Sequence, residues 1–141
     1  MNATEISAIQ RTLQTTGQWL KELSDALGRD DPQQVYRMLR AVLMALRDRL
    51  TVEEASDLGA QLPMLIRGFY YEGWNPSKTP TGERNLETFL DHVAGNLVPA
   101  VDGDPAEVAR AVFKVLQNHV TAGEIQDVRS NLPGEVAALW P

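Results

Sequence analysis

Two histidines, His92 in "FLDHVAGNL" and His119 in "KVLQNHV", are the chain's only imidazoles. Hydrolytic or metal chemistry needs proton-transfer groups or ligands gathered on one surface. Neither histidine stands in His-Glu-x-x-His or in the Glu-x-x-His pattern of di-iron bundles. Carboxylates crowd in "VEEASD", where Glu53, Glu54 and Asp57 can share a helix face. An acidic first turn also complements the helix dipole, and Glu54 lies three residues after Thr51, where a capping partner belongs. "GDP", Gly103 to Pro105, reads as a turn into a helix and not as a phosphate loop. Ser56, Ser77 and Ser130 have no base placed beside them by any motif. Cysteine is absent, which removes thiolate nucleophiles, disulfides and cysteine-held zinc or iron–sulfur clusters. The expectation is no catalytic residue, no metal and no cofactor, hence a protein that is not an enzyme.

A second concentration of chemistry is aromatic. "AQLPMLIRGFYYEGWNPSKTP", Ala60 to Pro80, crowds Met, Leu, Ile, Phe, two Tyr and a Trp behind one proline. Leu65, Ile66, Phe69 and Tyr70 fall on one helical face, which core packing explains. Arg67, Tyr71 and Trp74 are the remainder. Tyr and Trp join apolar bodies to polar tips and recur in interaction hot spots. Gly73 permits a helix-ending turn that projects Trp74 toward the loop. These three are the candidate partner- or ligand-binding residues; the competing reading folds Trp74 back as cover for the core.

The elements that must position these groups are helices. "DDPQQVYRMLRAVLMALRDRL" has an apolar stripe from Val35 to Leu50 at three- and four-residue steps, with Asp31 as N-cap, Pro32 at the first position and Gln34 closing a capping box. Its arginines, Arg37, Arg40, Arg47 and Arg49, read as a solvated face. "DPAEVARAVFKVLQNHV" repeats the recipe with Asp104, Pro105 and Glu107. "TVEEASDLGAQLP" and "TAGEIQDVRSNLP" both open with Thr-x-x-Glu and both reach Leu-Pro, at Pro63 and Pro133. Proline ends one helix and starts another, so each stretch should bend there. "WLKELSDAL" likewise matches "FLDHVAGNL". Equivalent residues stand 70 apart, as Thr51 and Thr121 do. Strand signals are missing.

The fold expected is therefore all-α, two tandem pseudo-symmetric four-helix repeats packed as one compact domain over 1–141. The first repeat covers about 18–74, the second about 85–141, and 75–84 is the linker. An extra N-terminal helical segment precedes them, docked through Ile6, Ile9 and Leu13. The repeat also tests the histidines: His92 aligns with Glu22 and His119 with Arg49, which predicts both rings on the surface.

Composition bounds the rest. At 141 residues with 43% hydrophobic content, the chain can bury a core without covalent staples. A net charge of -6 argues against a phosphate-tracking surface, so nucleic acid is not an expected partner. No apolar run approaches the ~20 residues of a membrane span, and "MNATEISAIQRTLQTTG" lacks a secretory signal's pattern. A cytoplasmic protein is expected, with no membrane partner.

With "LRAVLMALRDRLTVEEASDLGAQLPMLIRGFYYEGW" laid out, flanked by "WLKELSDALG" and "AVFKVLQNHVTAGEIQDVRSNLPGEVAALWP", the chain resembles the bacterial family called domain of unknown function 2267. The resemblance implies a small helical protein of bacteria or archaea with no established catalytic residues. Family genes often sit near stress-associated genes. The loop after Trp74 departs from the more basic loop expected of relatives, having only Lys78 and Arg84. The function expected is a protein-interaction or stress-associated factor, its partner and oligomeric state open. The alternative is a small-molecule binder with a pocket between the two repeats.

Overall fold

A computed structural model describes all residues, 1–141, and every regular element in it is helical. Eight α-helices follow one another: α1 Ser7–Leu27, α2 Pro32–Arg49, α3 Val52–Ala60, α4 Met64–Tyr71, α5 Leu86–Asn96, α6 Pro105–His119, α7 Ala122–Ser130 and α8 Gly134–Ala137. Short 3₁₀ turns occupy Ala3–Glu5 and Pro76–Lys78.

Local chemistry explains the boundaries. Gly28 ends α1 in the left-handed conformation, at φ 64°. The Asp31 and Asp104 carboxylates accept from the Gln33 and Ala106 amides, with a proline opening each helix. Thr51 and Thr121 hydroxyls accept from the Glu54 and Glu124 amides. Pro63 and Pro133 interrupt the chain at both Leu-Pro steps, and α4 and α8 start directly after them. The capping boxes close on one side only. Gln34 accepts instead from the Arg29 guanidinium, 3.1 Å away, and the Glu54 carboxyl turns toward α7.

The N-terminal segment is not a separate docked piece. It runs straight into Trp19 and Leu23 as the first half of α1, with Ile6 and Leu13 left 44% and 46% exposed. Helix α2 is the centre of the molecule, with α1, α4, α5 and α6 all packed against it. Val35, Met38, Leu39, Val42, Leu43 and Leu46 are sealed, and so are Ala41 and Ala45 on its other faces. The 34 buried apolar residues form one continuous cluster reaching every helix, so the chain has a single core.

This surrounds the end of α2 and overturns the solvated-arginine expectation. Arg47 and Arg49 are 3% and 2% exposed, while Arg37 and Arg40 stay half-buried. A helix buried on one stripe can keep its arginines in water; a last turn enclosed by neighbouring helices cannot. The linker is pinned where it passes: the Thr81 amide donates to the Asp48 carbonyl at 2.9 Å, and Arg84 reaches the Asn131 carbonyl at 2.8 Å.

Leu46 and Leu116 are wholly buried in this core. Leu46→Ala and Leu116→Ala should each lower unfolding free energy by ~2–5 kcal/mol in a denaturant melt.

Candidate functional site

Arg67, Tyr71 and Trp74 do come together, around the end of α3. The Arg67 guanidinium donates to the Gly59 and Leu62 carbonyls, both at 2.8 Å, at and just beyond the end of that helix. The Tyr71 ring lies on Gly59: a Cβ there would fall 2.6 Å from the ring's Cζ, so only glycine leaves the ring its seat. Trp74 packs against Tyr71 with ring centroids 5.2 Å apart and planes tilted by 33°, and rests half-buried against the core. Nε and Nη2 of Arg67 are thus engaged within the protein. The trio fastens α4 to α3.

Burial forces a second cluster at the end of α2. Arg47 donates to the Tyr70 carbonyl at 2.7 Å and the Glu72 carbonyl at 2.8 Å, closing the end of α4, and pairs with Asp48 at 2.9 Å. Arg49 lies over the Phe89 ring at 5.1 Å and donates to His92 Nδ1 at 2.7 Å. Burial pushes the Arg49 guanidinium below its usual range. His92 is therefore half-buried and held, not solvated as expected. Burial first, and Arg49 second, hold its ring neutral, below the ordinary histidine range. Its Nε2 faces Asp48 at 3.6 Å, so both ring nitrogens are engaged and neither serves as a free base.

His119 stays at the surface, as expected, but its ring is held there. Its ring stacks on Trp19 with centroids 4.8 Å apart, and Nε2 meets the Glu22 carboxylate at 2.8 Å. The aligned position of His92, Glu22, concealed the His92 contact because it is itself the partner of a histidine, His119. No three His, Asp or Glu side chains are arranged to hold a metal ion. No helix is long and apolar enough to cross a membrane.

What sequence reasoning missed is an apolar trough. Helices α1 and α4 form its walls and α2 its floor, with a volume of about 670 Å³. Leu13, Met64 and Leu65 stand on the rim at 46%, 52% and 41% exposure. Tyr36 meets Phe69 edge-on in the floor, ring centroids 5.4 Å apart. The Thr16 hydroxyl is buried in the wall without a hydrogen-bond partner, and Glu72 closes one end. Gly68 lines the trough with nothing within 4 Å of where a Cβ would stand, leaving an open notch. Leu65, expected in the core, belongs to this rim. The signal was present: 70 residues on, Met64 and Leu65 become Gly134 and Glu135, the residues a solvated helix face carries.

Three substitutions check this geometry. Arg47→Ala should cost about 3 kcal/mol, since charge-assisted hydrogen bonds to two buried carbonyls are lost, and Arg47→Lys should recover less than half. His92→Ala should cost about 1–3 kcal/mol by leaving a buried guanidinium donor unmet. Its neutral ring contributes stability at neutral pH that is lost as pH falls through the histidine range, and the variant should flatten that limb. Trp74→Ala should cost about 2–3 kcal/mol, below the range for a fully buried Trp. Chemical denaturation reads all three.

The chain matches the family described as uncharacterized conserved protein, DUF2267, over residues 16–139. No curated protein is similar enough to add a second relationship. The matched span runs from the middle of α1 through α8, taking in α2, the arginine cluster and the α3–α4 fastening. On that extent, this protein is a member of the DUF2267 family.

Proposed function

We propose that this is a non-enzymatic helical interaction protein of the bacterial cytoplasm, built by duplication, whose trough on α1, α2 and α4 takes an amphipathic helix of a partner protein. The observation that carries the reading is the trough's unpartnered apolar surface. Of the eight large apolar side chains the protein exposes, four (Leu13, Tyr36, Met64 and Leu65) line it. Such concentration marks an interaction surface, whereas scattered exposed residues do not. A trough walled by two helices and open along its length suits a third helix, read through anchors at i, i+3/i+4 and i+7. Glu72 at its end favours a Lys or Arg flanking the partner's apolar stripe.

The duplication is supported by matching pairs of contacts. Arg49 over Phe89 with His92 beside it, and His119 over Trp19 with Glu22 beside it, use positions 70 residues apart with the halves exchanged. A pseudo-twofold relation between residues 18–74 and 85–141 accounts for both. On this reading the trough is what the first half added: the matching positions on α8 are Gly134, Glu135 and Ala138. A small-molecule pocket between the halves has less support, because Phe89 and Val93 fill the junction of α2 and α5. A stress role rests on the family resemblance alone.

Gly68→Leu tests the reading, since its Cβ would stand in open space and its side chain would fill the notch. The melt should hold or rise slightly, because glycine is a poor helix former. A photo-crosslinker at Leu65, used in the native host, should trap a protein segment with an apolar helical stripe. Gly68→Leu should weaken binding of that segment as a peptide about thirtyfold, a hot-spot-sized loss. Gly123→Leu, also in open space on α7, is the control. Crosslinks confined to lipid, small molecules or a second copy of this chain would overturn it.

A further inference from the structure

Helices α3 and α7 pack against each other and bring two carboxyls face to face. Glu54 and Glu124 are each the third residue of their helix. Glu54 is 8% exposed and Glu124 half-buried. One oxygen of each, Oε1, is buried without a partner. A hydrogen bond between two carboxyls needs a proton on one of them, because a carboxylate has no donor. No lysine or arginine donates to either.

Every element around the pair leaves it uncompensated. On α3 the neighbouring charges are Glu53 and Asp57, and α7 adds Asp127. From α4 come the phenols of Tyr70, whose hydroxyl donates to the Ala55 carbonyl at 2.7 Å, and Tyr71, whose hydroxyl reaches the Ser56 carbonyl. Arg47 of α2, whose charge acts on Tyr70, is already committed to the Tyr70 and Glu72 carbonyls and to Asp48. The helix N-termini favour negative charge, but burial and carboxylate repulsion act the other way and win: Glu54 is raised to about 8. Beside the pair, the junction has one neutral clasp. The Gln61 amide accepts from the Thr121 amide at 3.0 Å and donates to its hydroxyl at 3.2 Å.

We propose that Glu54 and Glu124 share one proton across the α3–α7 junction, and that losing this proton loosens the junction, making it a pH-responsive clasp. Two carboxyls that cannot both ionise at close range hold a common proton until the solution takes it. The folded protein then keeps a proton that the unfolded chain releases near the ordinary glutamate range. Stability from the pair is therefore full in mild acid and is lost as pH rises toward about 8.

Thermal midpoints of the full chain at fixed ionic strength, from pH 5 to 9, provide the test. The wild-type midpoint should fall by about 5 °C or more across this range. Glu54→Gln and Glu124→Gln should each flatten the fall, because the amide supplies a permanent donor to the remaining carboxylate. Asp57→Asn, outside the pair, should leave it in place. Amide exchange corrected for intrinsic rate should quicken at high pH in α3 and α7 ahead of α2, in wild type and not in Glu54→Gln. If one Gln variant fails to fold, the other and the exchange data still decide. An equal fall in wild type and the folded Gln variant overturns the proposal. So does restoration of the high-pH midpoint by millimolar Mg²⁺ or Ca²⁺ in wild type alone, which would make the pair a cation site.

Discussion

A guanidinium that leaves water must find its hydrogen bonds inside the protein, and two do so at the end of α2. Arg47 joins α2 to the end of α4, and Arg49 joins it to α5 through His92 and Phe89. These bonds exist because the end of α2 is enclosed by α4 and α5, and they make the covering specific. An apolar helix could slide or rotate among its neighbours at modest cost. One whose last turn must meet two carbonyls, an imidazole and an aromatic face has a single register.

The fastening continues from that turn. Arg47 holds the end of α4, Arg67 of α4 holds the end of α3, and Tyr71 lies on Gly59 of α3. Two arginines thus donate to carbonyls at the ends of helices. The arrangement fixes α4 as a rigid wall while its opposite face, with Met64, Leu65 and Gly68, stays open. An interaction surface gains from such rigidity, because less ordering remains to be lost on binding.

The two carboxyls between α3 and α7 belong to the same logic with the sign reversed. In the duplication reading, a pseudo-twofold axis brings equivalent positions of α3 and α7 together, so the capping glutamates of both segments meet each other. Opposite charges would have made this a fixed bond. Identical carboxyls make it depend on a proton.

Much of the helical order was legible along the chain. Caps, proline breaks and apolar stripes involve residues within a few positions of each other, so Asp31, Thr51, Pro63 and their counterparts declare themselves in the sequence. The candidate residues Arg67, Tyr71 and Trp74 were also found there, as a group that helical spacing alone left unassigned. Their use was not legible. Whether an arginine is solvated or buried, whether a histidine is free or held, and whether a leucine is core or rim depends on which distant element lies over it. Arg47, His92 and Leu65 each took a role set by a helix or helices remote in sequence: α4, α2 and α1 respectively. Short-range hydrogen bonding decided where the helices are; desolvation by remote neighbours decided what their polar and apolar side chains do.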